Sequence, residues 1–97
     1  MNSADRPDTA LGEQTNEWMY RAVVERMPRF VRRVLHVGCG DGELGRRIKQ
    51  KGLEVHGIER DTALAHRART SLDSVTLADV VCLNPSMFEG ETFDCIV

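Results

Sequence analysis

The stretch VLHVGCGDGELG, residues 34–45, places four glycines within eight positions directly behind a short, largely aliphatic run. Glycine loses more conformational freedom on folding than any other residue, so a cluster of glycines indicates a backbone that turns sharply or approaches a ligand closely. The run from Val34 to Val37 has the nearly continuous apolar composition of a strand buried in a parallel sheet. The stretch therefore predicts a buried strand followed by a tight loop.

Helical and strand-like patterns alternate on both sides of this loop. Before it, Met19, Val23 and Met27 recur at helical spacing from about Thr15 onward, and Pro28 ends that helix. After it, Leu44 and Ile48 share one helical face, with Asp41 near the start of the helix and Gly52 after its end. The remaining predicted elements are a strand at 53–59, a helix with Asp61 as its N-cap, a strand at 75–78 and a strand at 93–97.

This order of elements predicts an α/β fold, a Rossmann-like doubly wound parallel sheet with strands in the order 3-2-1-4. We expect helices to cover both faces of such a sheet. Because the sequence stops on an apolar strand with no helix after it, we expect the doubly wound sheet to be incomplete. We interpret residues 1–14 as a flexible N-terminal arm and residues 15–97 as the N-terminal part of a longer Rossmann-like domain.

Composition excludes several classes of function. The 97 residues are enough for one domain, and a formal charge of −2 gives no general attraction to nucleic acid or to an anionic membrane. The three cysteines form no CxxC pair and have no zinc-ligand spacing with the histidines, so we expect no metal site and reduced thiols in a cytoplasmic protein. We expect no signal peptide, and the sequence contains no apolar run long enough to span a bilayer.

The glycine loop would lie at the carboxyl edge of the sheet, where ligands bind in folds of this kind. The helix that follows would direct its positive N-terminal end to the same place. Glu59 ends the second strand, 19 positions after Gly40. A carboxylate there can accept hydrogen bonds from both hydroxyls of a ribose, so the sequence predicts a nucleotide-like ligand.

Two ligand families use such an arrangement. GDGELG, residues 40–45, fits the dinucleotide pattern GxGxxG, so an NAD(P)-dependent oxidoreductase is one alternative. However, the first glycine of that pattern follows the strand directly, and counting from Gly38 puts Glu43 where the third glycine belongs. The register that fits is GxGxG at positions 38, 40 and 42. A further alternative is a non-catalytic Rossmann-like module that serves association through an open sheet edge.

In this register the chain resembles the class I S-adenosylmethionine-dependent methyltransferases. VLHVGCGDG resembles their motif I, VHGIERD their second motif, LAD the acidic position after the third strand, and FDCIV their fourth-strand motif. The resemblance covers residues 28–97. It implies an S-adenosyl-L-methionine cofactor.

The resemblance also implies roles for eight residues. Gly38, Cys39 and Gly40 would pass beneath the methionine part of the cofactor, and Gly42 would permit the close turn into the helix. Glu59 would hold the ribose and Arg60 would lie beside the adenine. Asp79 would accept a hydrogen bond from the adenine amino group, and the backbone N–H of Val80 would reach a ring nitrogen.

The sequence departs from the family pattern two positions before the first motif glycine, Gly38. His36 stands where the family usually carries an acidic residue, and a neutral imidazole supplies no negative charge for the amino group of the cofactor. In this family, the residues that bind the methyl acceptor lie largely after the fourth strand. We therefore assign no catalytic base. We expect a small-molecule acceptor or glycan precursor, and self-association of the 97-residue chain through the edge of the fourth strand.

Overall fold

The computed structural model describes residues 8–88 and 90–97. Within these ranges, helices and strands alternate, and two short 3-10 turns at Val80–Cys82 and Pro85–Phe88 connect the last two strands. The helices are α1 (Asp8–Glu25), α2 (Glu43–Lys49) and α3 (Thr62–Ala68), and the strands are β1 (Arg33–Val37), β2 (Glu54–Glu59), β3 (Ser74–Leu77) and β4 (Cys95–Ile96).

The strands form one sheet in the order β3-β2-β1-β4, and every neighbouring pair is parallel. Val34 of β1 lies opposite Val55 on one side and Cys95 on the other. This arrangement confirms the predicted strand order, which follows from the preference for right-handed crossovers between parallel strands. The fourth strand is shorter than the predicted range 93–97, because only Cys95 and Ile96 pair with β1 as strand residues.

All three α-helices contribute to one hydrophobic cluster against alternate sheet residues, Val34, Val55, Val75 and Cys95. In the part of the chain that the structure describes, the helices therefore flank one face of the sheet. The crossovers from β1 to β2 and from β2 to β3 run in the same direction along the sheet, so two crossovers of the same hand place α2 and α3 on one face.

The opposite face carries aromatic side chains from the segment between β3 and β4. The Phe93 ring packs edge to face against His56 of β2, with the ring centroids 5.7 Å apart, and against Phe88 at 6.0 Å. Leu35 and Ile58 are also buried, although neither belongs to the cluster beneath the helices. The sheet thus has a helix-covered face and a face covered in part by the β3–β4 connection.

Helix α1 begins at Asp8, earlier than the predicted start at Thr15. Residues 8–14 of the predicted flexible arm are therefore helical, and residues 1–7 lie outside the described residues. The side of α1 that packs on the cluster carries Tyr20, Val23 and Val24, whereas Met19 of the predicted stripe is exposed. Across residues 8–88 and 90–97, no helix has both the length and the apolarity needed to cross a bilayer.

Candidate functional site

A cavity of about 270 Å³ opens at the carboxyl ends of β1, β2 and β3. Its position is the one predicted for a ligand in a parallel α/β sheet. Five of the eight predicted site residues line it, whereas Cys39, Gly40 and Gly42 do not. The complete lining consists of Val37, Gly38, Ile58, Glu59, Arg60, Ala78, Asp79 and Val80.

The loop after β1 reaches this cavity in a left-handed backbone conformation. Gly38 has φ of 72° and Gly40 has φ of 58°, values that side-chain-bearing residues rarely adopt. A Cβ atom placed on either glycine would meet no atom within 4 Å. The backbone N–H groups of Gly38 and Cys39 both donate to the carbonyl oxygen of Ile58, at 2.8 and 3.0 Å. The loop is thus fixed to the end of β2, while the space beside its glycines stays open to a ligand.

Gly42 has a different neighbour from the first two glycines. Gly42 has φ of 93° and lies at the turn into α2. A Cβ atom on Gly42 would lie 3.1 Å from the Cα of Ala68 in α3. Asp41, predicted near the start of this helix, accepts a hydrogen bond from the N–H of Glu43 at 3.1 Å, but Gly42 is the N-cap residue. Gly42 therefore allows α2 and α3 to pack closely.

The Cys39 side chain points into the core. It is 4% exposed, and its Sγ atom would lie 2.6 Å from a Cβ atom on Gly57. Burial, with a smaller contribution from the charge of Glu59, raises the pKa of the Cys39 thiol to about 11. Only the backbone of Cys39 is thus available to a ligand, and its thiol is neutral at physiological pH.

Glu59 connects the glycine loop to the start of α3. Its Oε1 atom accepts a hydrogen bond from the N–H of Gly40 at 2.9 Å, and its Oε2 atom accepts one from the N–H of Asp61 at 3.0 Å. A carboxylate oxygen has two lone pairs, so each oxygen retains capacity for a further donor. A carboxylate with acceptor capacity on both oxygens therefore lines the cavity at the end of β2.

The other side of the cavity is formed after β3. Asp79 is the N-cap of the first 3-10 turn, and its Oδ1 atom accepts a hydrogen bond from the N–H of Val81 at 3.1 Å. Its Oδ2 atom lies 3.7 Å from Nη1 of Arg60. Val80 is the first residue of this turn, so no carbonyl group within the turn precedes its N–H group to accept a hydrogen bond from it. Each side of the cavity thus carries one carboxylate. That of Glu59 accepts hydrogen bonds from two backbone N–H groups, whereas that of Asp79 accepts one and also faces Arg60.

His36 lies on the helix-covered face of β1, opposite Gly57 of β2. The side chain is buried, and its Nδ1 atom has no hydrogen-bond partner among the described residues. Burial lowers the pKa of His36, an effect that the nearby charge of Glu59 opposes in part. His36 is thus a neutral imidazole at physiological pH and supplies no charge at this position.

Comparison with known proteins agrees with this geometry. A family model described as a methyltransferase domain matches residues 35–97, which include all eight predicted site residues. No match was found among the curated proteins.

Solved structures of methyltransferases resemble the fold. The sugar N-methyltransferase KedS8 from Streptoalloteichus sp. is 30% identical over 82% of this chain and 31% of its own, with a TM-score of 0.60. A TehB-like SAM-dependent methyltransferase from Corynebacterium glutamicum is 21% identical over 98% of this chain and 54% of its own, with a TM-score of 0.64. The plantazolicin methyltransferase BpumL in complex with SAH is 14% identical over 98% of this chain and 41% of its own, with a TM-score of 0.64.

This chain therefore spans about a third to about a half of the length of these solved structures. The family match favours the methyltransferase interpretation over the nicotinamide alternative, and it confirms the predicted family. The chain belongs to the methyltransferase domain family.

Proposed function

We propose that this chain binds S-adenosylmethionine in the 270 Å³ cavity and forms the cofactor-binding part of a methyltransferase. The observation that carries the proposal is the Glu59 carboxylate, which is held between the N–H groups of Gly40 and Asp61 and lines the cavity beside the open glycine loop. These groups match the chemistry of the cofactor, because a carboxylate accepts hydrogen bonds from ribose hydroxyls. The bound cofactor supplies an activated methyl group.

In this proposal the two sides of the cavity hold different parts of the cofactor. Glu59 binds the ribose hydroxyls. The methionine part lies over the backbone of Gly38, Cys39 and Gly40, where no side chain intrudes. Gly42 acts indirectly, by allowing the loop to turn into α2.

The adenine is assigned to the side formed after β3. Asp79 accepts a hydrogen bond from the adenine amino group, and the N–H of Val80 donates to a ring nitrogen. The guanidinium of Arg60 lies beside the adenine plane, where its charge also faces Asp79. Support for this assignment comes from the position of all three residues in the cavity lining.

For the methyl acceptor we propose a small molecule or glycan precursor that carries a nucleophilic nitrogen or oxygen. The relative with the highest identity among those compared above is a sugar N-methyltransferase, which supports a sugar-containing acceptor. The acceptor site and any catalytic base are not assigned to residues of this chain. We also propose that the protein is cytoplasmic and that the 97-residue chain self-associates through the edge of β4, whose Ile96 is 69% exposed.

Isothermal titration calorimetry tests the cofactor assignment. We expect S-adenosylhomocysteine to bind to the 97-residue chain with one site, and NADH not to bind. The Glu59→Gln variant should lose affinity, whereas Glu25→Gln, which removes an exposed carboxylate on α1, should behave as the parent chain. Binding of NADH in preference to S-adenosylhomocysteine would overturn the proposal.

A further inference from the structure

A second cavity lies at the opposite end of the sheet. It has a volume of about 210 Å³ and is formed by the segment that leads into β1 and the segment that leads into β2. These segments meet at the amino ends of the parallel strands, whereas the proposed cofactor site lies at their carboxyl ends. The cavity is lined by Met27, Pro28, Arg29, Val31, Arg32, Lys51 and Leu53.

This cavity combines an apolar floor with a cationic rim. Met27 and Val31 belong to the hydrophobic core, with 8% and 1% of their surfaces exposed. All the charged residues in the lining are cationic, namely Arg29, Arg32 and Lys51. The whole chain has a formal charge of −2, so the positive charge of this rim is a local concentration and not a reflection of overall composition.

Hydrogen bonds to backbone carbonyl groups hold two of the three cations in place. The Nη1 atom of Arg32 donates to the carbonyl oxygens of Arg29 and Val31, at 2.9 and 3.1 Å. The Nζ atom of Lys51 donates to the carbonyl oxygen of Val24 at 2.9 Å. Arginine and lysine have five and three donors, so both side chains keep donors for an anion. An anion binding here would meet side chains that are already ordered, which lowers the entropy cost of binding.

The rim cations differ from other cations on this surface. Arg46 and Arg47 pair with Glu43, and Lys49 pairs with Asp73. Among residues 17–84, 86–88 and 90–97, no carboxylate forms such a pair with Arg29, Arg32 or Lys51. Asp94 is nearby, but it accepts hydrogen bonds from the backbone N–H groups of Arg32 and Arg33.

We propose that this amino-end cavity binds a small carboxylate that carries an apolar chain. The carboxylate would accept hydrogen bonds from the rim cations, and the chain would cover the floor at Met27 and Val31. At about 210 Å³ this cavity is smaller than the 270 Å³ cavity proposed for the cofactor, so we expect its ligand to carry a short chain or a single ring. The proposal is independent of cofactor binding at the other end of the sheet.

Methyl NMR tests the proposal with hexanoate as the probe and the Met27 methyl group as the reporter. We expect a saturable shift of the Met27 signal with hexanoate that weakens as salt is added, because charges at the rim are screened. Hexylamine, which has the same chain and the opposite charge, should cause no saturable shift. Equal binding of hexanoate and hexan-1-ol, or no shift with hexanoate, would overturn the proposal.

Two matched variants locate the charge effect. Arg29→Gln removes a rim charge whose side chain forms no hydrogen bond within the described residues, and it should weaken hexanoate binding about threefold. Arg69→Gln removes an exposed arginine after α3 and should leave binding unchanged. An equal effect of the two variants would show that hexanoate responds to net charge alone, which would contradict a site at this rim.

Discussion

The two sides of the cofactor cavity are built with different degrees of restraint. On one side, hydrogen bonds from Gly38 and Cys39 to Ile58, and from Gly40 to Glu59, fix the loop to β2. On the other side, Asp79 caps a short turn that carries exposed Val80 and Val81, and its contact with Arg60 spans 3.7 Å. For the proposed cofactor site, the difference predicts that the loop side is organised before binding, whereas the side after β3 gains more order when the ligand binds.

The largest expected effect is that of Glu59→Gln. The glutamine keeps the size of the side chain, but it removes the charge and places an amide N–H₂ group among backbone N–H donors. Loss of charge-assisted hydrogen bonds to a ribose costs about 1.5–3 kcal/mol, so affinity for S-adenosylhomocysteine should fall roughly 10- to 150-fold. Calorimetry measures this change. Parental affinity in Glu59→Gln would show that the ribose assignment is wrong.

Gly40→Ala should have the next largest effect. Its φ of 58° is strained for alanine by about 1–2 kcal/mol, and the new methyl group would enter the space proposed for the cofactor. We expect the backbone strain to lower the free energy of unfolding by about 1–2 kcal/mol. The methyl group should separately weaken S-adenosylhomocysteine binding in calorimetry, by more than about fivefold, because it occupies space proposed for the ligand.

Gly52→Ala is the matched control for Gly40→Ala. Gly52 also has a positive φ, 88°, and open space around it, but it lies after α2, at the amino end of β2 and so at the opposite end of the strand from the glycine loop. The Gly52→Ala variant should lower the free energy of unfolding by about as much as Gly40→Ala, without changing the affinity for S-adenosylhomocysteine. Equal losses of affinity in the two variants would mean that general destabilisation, and not the loop side of the cavity, controls binding.

Asp79→Asn should have a smaller effect than either change on the loop side. The asparagine keeps an oxygen that can cap the turn and accept from adenine, and it removes only the charge that faces Arg60. Exposed ion pairs contribute up to about 1 kcal/mol, so we expect at most a roughly fivefold loss of affinity. A loss as large as that of Glu59→Gln, measured by the same calorimetry, would contradict the difference between the two sides.

The smallest expected effect is on the pH dependence of stability. Because burial lowers the pKa of His36 below 6.5 in the folded state, the unfolded chain binds the proton more readily, and stability should fall as pH decreases through 6.5 toward the lower folded pKa. Glu43 acts in a separate window: hydrogen bonds from Arg46 and Arg47 lower its pKa to about 2, so its contribution is lost only below about pH 4.5.

Urea unfolding at pH 7.5 and pH 5.5 separates these two contributions. The parent chain should be less stable at pH 5.5, and His36→Leu should remove most of that difference because it replaces the buried imidazole with an apolar side chain. An unchanged pH dependence in His36→Leu would assign the loss to other groups.

Much of the fold was predictable because it depends on local patterns. The aliphatic run before Gly38, the N-cap at Asp61 and the alternation of strand and helix are sufficient for the parallel order 3-2-1-4. The early start of α1 was not predictable, because residues 8–14 have no apolar periodicity in the sequence. The placement of α2 and α3 on one face follows from that predicted order, because two successive crossovers of the same hand and direction lie on the same side of a sheet.

Part of the candidate site was also predictable from the sequence. The spacing of 19 residues between Gly40 and Glu59 anticipates that the two lie together, and the structure joins them by a hydrogen bond. Sequence spacing did not reveal that Arg60 faces Asp79, since that contact depends on the register between β2 and β3. Nor did it reveal that the Cys39 side chain leaves the cavity for the core, because Gly57 provides the space it fills.

Amide NMR of the ¹⁵N-labelled chain during titration with S-adenosylhomocysteine tests the central claim most directly, because it reports both sides of the cavity at once. We expect saturable shifts of the Gly38, Gly40 and Val80 signals with one common affinity, while the signals of Arg32 and Leu53 at the amino ends of the strands stay in place. Shifts confined to residues outside the cavity, or no shifts at saturating ligand, would contradict the assignment of this cavity as the S-adenosylmethionine site.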